Sequence, residues 1–183
     1  MHRQGYENNI DNDLQDTFRK LWEQHILWTR SFIISTAEGL KDLDVVTKRL
    51  LRNPEDFANV FKRFYGEQVA DEFKRLFEQH LLIAADLVNS AKAGNRREVE
   101  ENRAKWYANA DNIAVFLSRI NPNWSRREWQ DMLYSHLRMT EMEAVRRLNG
   151  QYADDVSIYD DIEDQALKMA DYMYRGISRQ FGA

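Results

Sequence analysis

A seven-residue phrase occurs twice in the chain, as Leu21-Trp22-Glu23-Gln24-His25-Ile26-Leu27 and as Leu76-Phe77-Glu78-Gln79-His80-Leu81-Leu82, and His136-Leu137 echoes it one further period along. One and the same interval separates each of these three histidines from a later glycine: His25 from Gly39, His80 from Gly94 and His136 from Gly150. Glycine just past a helix end takes the left-handed conformation that stops the helix. The repeat therefore predicts three helices that end in register. At 1.5 Å of rise per residue, the three imidazoles lie at one height, roughly 20 Å from those ends. Three units make too short a stack for an open solenoid, so the period of about 55 residues reads as three αα-hairpins around one core.

The rest of the pattern is helical too. Only seven glycines and two prolines punctuate the chain, and the apolar residues between them recur at steps of three and four. A first helix begins after the cap candidates Asp11-Asn12-Asp13 and carries Leu14, Phe18, Leu21, His25, Trp28 and Phe32. Another, from Glu67 to Gly94, carries Val69, Phe73, Leu76, His80, Ile83 and Leu87 on the same steps. Ser125 with Glu128, and Asn95 with Glu98, have capping-box spacing. The stretch from Asp42 to Tyr65 reads as a helix broken at Asn53-Pro54. The last helix carries Tyr152, Val156, Tyr159, Glu163, Ala166, Ala170, Met173 and Ile177 on its inner seam. The prediction is an all-α antiparallel bundle of five long helices plus a broken one. It forms a single domain over 1–183, with residues 1–11 as a flexible N-terminal tail.

Composition narrows the chemistry. With no cysteine, disulfides, thiolate metal sites and cysteine nucleophiles are excluded, and a reducing cytoplasm is compatible. Thirty acidic against 26 basic residues, well mixed, argue against a nucleic-acid surface. No apolar stretch is long enough to span a membrane and no hydrophobic signal core opens the chain, which predicts a cytoplasmic protein. A phosphate-binding glycine loop, Gly-x-Ser-x-Gly, His-x-x-x-His and the Glu-x-x-His signature of di-iron bundles are all missing. No catalytic group is assigned.

Two readings of the histidines compete. In the first, Glu163 follows Gly150 at almost the distance by which His136 precedes it, one position short, and faces His136 across the final hairpin, so that His25, His80, His136 and Glu163 form an interior site. Three imidazoles and a carboxylate suit a divalent zinc, iron or manganese ion. Asp160 and Asp171 are candidates for extra oxygen ligands. In the second reading the histidines are structural, bonded to Thr29, Thr140, Tyr159 or Asn109, and the bundle is a non-enzymatic scaffold for a protein partner or a further copy of itself. A small-molecule or haem carrier, using a cavity lined by aromatic side chains, is the third class. Arg30 is expected to form a partly buried pair with Asp86 or Asp111.

The phrases Leu21-Trp22-Glu23-Gln24-His25, Trp28-Thr29-Arg30, Arg49-Leu50-Leu51-Arg52-Asn53-Pro54, Asn109-Ala110-Asp111, Ile120-Asn121-Pro122 and Met169-Ala170-Asp171 span nearly the whole chain. In them the chain resembles a family of small all-helical proteins from spore-forming Firmicutes. The resemblance implies a bacterial source and no mechanism. Some members carry the label acetylglutamate kinase, an enzyme with a glycine-rich α/β fold that this sequence contradicts.

Overall fold

The computed structural model describes residues 3–182, with side chains from Asp13 onward; among these the backbone is helical and contains no strand. The segments are α1 (Arg3–Glu38), α2 (Leu43–Leu50), α3 (Asn53–Tyr65), α4 (Glu67–Lys92), α5 (Arg96–Ile120), α6 (Arg126–Leu148) and α7 (Tyr152–Phe181). Helices α2 and α3 are two pieces of one return helix, parted at Leu51-Arg52, so the described residues form a bundle of six helices. None of the described helices is long and apolar enough to cross a membrane.

The three histidine-bearing helices, α1, α4 and α6, touch one another and form an inner triangle. Each outer helix bridges two of them: α3 lies on α1 and α4, α5 on α4 and α6, and α7 on α6 and α1. Short connections make chain neighbours antiparallel, so the inner three run parallel. Their ends are built alike. Gly39, Gly94 and Gly150 have φ of 65°, 71° and 71°. The N–H after each glycine reaches back five residues: Leu40 to the Ser35 carbonyl at 2.9 Å, Asn95 to Ser90 at 3.0 Å and Gln151 to Arg146 at 2.9 Å. This is the paired closure of a glycine-stopped helix, and it brings the three histidines level.

The core is layered about that level. Seven residues before the histidines stand Phe18, Phe73 and Trp129, and three before them Trp22, Phe77 and Leu133, all buried. On this side Phe61 stacks on Phe73 at 4.3 Å, and Trp22 and Phe77 meet Phe57 at 5.4 and 5.2 Å. Beyond the histidines, toward the glycine turns, the equivalent positions hold Thr29, Ala84 and Thr140, then Ile33, Val88 and Ala144. Side-chain volume thus falls sharply across the histidine layer, which decides where space remains.

Several local expectations change. Met1 and His2 of the expected tail lie outside the described residues, and α1 is already helical from Arg3; the polar residues 11–13 continue the helix instead of capping it. Asn95 and Ser125 accept from the N–H of Glu98 and Glu128, each at 3.3 Å. The reciprocal halves of the boxes are diverted: Glu98 accepts from the Ser90 hydroxyl and Glu128 from the Tyr172 hydroxyl. Asn53 does not cap α3, because its side chain is drawn into the core.

One close approach sets the seating of α7. A Cβ at Gly176 would stand 1.8 Å from Trp124 Nε1 and 2.4 Å from its Cδ1, while that indole N–H donates to the Tyr172 carbonyl at 3.2 Å. Overpacked cores lose about 1–3 kcal/mol. Gly176→Ala should therefore lower the urea midpoint by a corresponding amount, and an unchanged midpoint would show that Trp124 is free to move aside.

Candidate functional site

Each histidine of the inner triangle is met by a carboxamide from an outer helix. Asn53 of α3 pairs with His25, Oδ1 to Nδ1, at 3.2 Å, and its Nδ2 donates to the Leu21 carbonyl at 3.0 Å. Asn109 of α5 pairs with His80 at 3.0 Å and donates to the Leu76 carbonyl at 3.1 Å. In both cases the accepting carbonyl lies four residues before the histidine. Gln165 of α7 is the third member: its Nε2 donates to the Met132 carbonyl at 2.8 Å, again four residues before His136. Its Oε1 lies near His136 and favours protonation there. Neither that oxygen nor His136 Nδ1, however, closes a hydrogen bond of ordinary geometry. The extra methylene of glutamine loosens what asparagine holds tightly.

These contacts assign the tautomer of two rings. A backbone carbonyl only accepts, so the Nδ2 hydrogens of Asn53 and Asn109 must face it. Their Oδ1 atoms, which also only accept, must then receive a proton from Nδ1. His25 and His80 are accordingly Nδ1–H imidazoles with the lone pair on Nε2. All three rings are deeply buried, at 1–2% exposure. Desolvation, with the neighbouring imidazoles adding to it, pushes His25 well below the ordinary histidine range and His80 down to about 3. Burial alone lowers His136 to about 4. The layer is neutral throughout the physiological range.

The histidine rings are neighbours but not a ligand set. His25 lies 5.5 Å from His136 and 6.4 Å from His80 between ring centroids. Phe77 stacks on His25 at 4.9 Å and on His80 at 6.0 Å. Among the described residues, no group of three or more histidine or acidic side chains is placed to hold a metal ion. The expected site of His25, His80, His136 and Glu163, with zinc, iron or manganese, is thereby overturned. Glu163 is exposed. The buried seam of α7 runs through Asp155, Ile158, Ile162 and Ala166, so Glu163 lies one residue, about 100°, around the helix. Asp160 is exposed, and Asp171 is held by Arg19 through two contacts of 2.8 Å.

Arg30 pairs neither with Asp86 nor with Asp111. It spans from α1 to α6 and α7, donating to Glu143 at 2.5 Å and to both oxygens of Asp155 at 2.8 and 3.3 Å. Burial pushes the Glu143 carboxyl up to about 7 against the pull of Arg30. Asp111 instead accepts from Gln130 and Tyr134.

The space beyond the histidines is a cavity of about 70 Å³ between α1, α4, α5 and α6. Its wall is mainly apolar, with Phe32, Ile33, Leu81, Ala84, Val88 and Ala144 among the lining side chains, and it reaches the surface beside Val145 and the Arg103–Glu141 ion pair. Thr140 and Trp106 also line it; Thr140 Oγ1 and Trp106 Nε1 are buried without a hydrogen-bond partner among the described residues. The Trp106 ring lies 5.3 Å from that of His80. Cofactor pockets run to roughly 300–1,000 Å³, so the haem expectation fails on size. No protein-family model, curated protein or solved structure matches the chain.

The tautomers are measurable: 15N NMR should show Nδ1 of His25 and His80 protonated and Nε2 bare, and the opposite pattern would refute the carboxamide pairing. The same burial sets a pH dependence. Below about pH 6.5 the unfolded chain takes up protons on rings that the fold keeps neutral. Stability from these rings is thus present above that pH and lost as pH falls toward the folded values near 4 and 3, at about 1.4 kcal/mol per ring per pH unit. Glu143 acts oppositely, its share being lost as pH rises through about 7. Three rings outweigh one carboxyl, so urea midpoints should climb from pH 4.5 to 6.5. His136→Gln should flatten that climb by about half, since Glu143 already cancels one of the three rings, and an unaltered slope would contradict it.

Proposed function

We propose that this chain is a small-molecule carrier: a helical bundle that takes a mainly apolar guest between α1, α4, α5 and α6, while its core histidines lock the helices in register. The observation that carries this reading is the cavity. Interiors are otherwise close-packed, and an apolar space of about 70 Å³ costs its wall the packing contacts that neighbours supply elsewhere in the core. A guest that fills the space recovers that cost. An engineered apolar cavity of about 150 Å³ holds benzene, so this smaller one fits a few carbon atoms: a short chain, or the end of a longer one that leaves past Val145.

The chemistry of the wall supports a carrier. The single cation on it among the described residues, Arg103, is engaged by Glu141 and Glu100 at the mouth. The neighbouring imidazoles are held neutral by burial and, for two of them, tied through Nδ1. A chain without cysteine suits a reducing bacterial cytoplasm, where we place it.

Ala144 lines the cavity and is buried, which provides the test. Xenon and n-pentane should shift methyl resonances of the lining residues in the native protein and raise its melting temperature. Ala144→Leu should raise the melting temperature without a guest and abolish the response to both. If neither guest enters the native protein, the carrier reading fails. The carboxamide locks then favour a scaffold that only presents its surface to a protein partner.

A further inference from the structure

Two polar groups on the cavity wall define what the guest must carry. Trp106 is 2% exposed and Thr140 4%, and both Trp106 Nε1 and Thr140 Oγ1 lack a hydrogen-bond partner among the described residues. Buried polar groups are nearly always paired, and a bond left unmade there is costly. The equivalent threonine of α1 shows the ordinary solution: Thr29 Oγ1 donates to the His25 carbonyl at 2.8 Å. Thr140, in the same position relative to His136, does not make that bond. An indole N–H can only donate, and a threonine hydroxyl can donate. Two unpaired donors on one apolar wall call for an acceptor on the guest.

Charge narrows the class further. Arg103, the cation on the wall, is already paired, and moving an unpaired carboxylate into such surroundings is prohibitive. Resting on the carrier reading above, we infer that the cavity selects neutral aliphatic molecules bearing an oxygen acceptor, a ketone or aldehyde in particular, whose oxygen is bound by Trp106 Nε1–H and the Thr140 hydroxyl. The aliphatic part lies against Phe32, Ile33, Leu81 and Val88. No bond is made or broken.

The test compares guests of one length, 2-pentanone, n-pentane and pentanoate, by NMR titration of the lining methyl groups of the intact protein. The ketone should bind about tenfold more tightly than the hydrocarbon, the ratio that one net hydrogen bond of about 1.4 kcal/mol gives, and pentanoate should not bind. Trp106→Phe and Thr140→Val should each reduce the ketone preference severalfold and leave pentane binding as it was. Thr140→Val keeps the shape of the side chain and serves if Trp106→Phe does not fold. Equal binding of ketone and hydrocarbon by the native protein, or tightest binding of pentanoate, overturns the acceptor inference while the carrier reading stands. Failure of every guest to bind removes the carrier reading itself.

Discussion

The bundle depends on a carboxamide that bonds in two directions at once. Asn53 and Asn109 each accept from a histidine ring and donate to the backbone carbonyl one turn earlier on the same helix. An outer helix is thereby fixed to an inner one both along the axis and in rotation, since sliding by one residue would break both bonds. Apolar packing alone is tolerant of such slips; buried polar groups are not, because an unmade bond there is costly. The third copy is weaker, as Gln165 keeps the carbonyl bond but closes no hydrogen bond of ordinary geometry with His136 Nδ1.

That lock also decides what the histidines are. Nδ1 of His25 and of His80 is committed to a carboxamide, the rings stack with Phe77, and burial holds them neutral. A ring held this way resembles the outer-shell support that metal-bound histidines receive, yet the nearby carboxylate that the sequence suggested points to solvent. The layer instead divides the interior. Aromatic side chains leave only about 10 Å³ on one half, and on the other half threonine, alanine and valine leave the larger cavity of about 70 Å³ on which the carrier reading rests.

Much of the fold was legible because its signals are local. The three equal His-to-Gly intervals correctly foretold equal heights, and the three- and four-residue steps found Phe73, Leu76, His80 and Leu87 of the α4 seam, with Val69 and Ile83 half-buried at its flank. The α7 seam was harder. Both Ile162 and Glu163 continue the spacing back from Ala166, and a step of four instead of three moves the assignment by about 100°. A stronger signal lay in the second hairpin, where Asn109 stands one position farther past Gly94 than His80 stands before it; the same count after Gly150 reaches Gln165, not Glu163.

The sequence by itself determined an all-helical chain of three repeated hairpins, with their stops and the common level of three imidazoles, because helix periodicity and glycine stops are properties of neighbouring residues. Only the tertiary structure decided which groups face those rings, that Arg30 reaches Glu143 and Asp155, and that space remains beside Thr140 and Trp106. Those outcomes depend on the rotation of one helix against another and on the sum of side-chain volumes across a layer. Neither quantity belongs to any single stretch of chain.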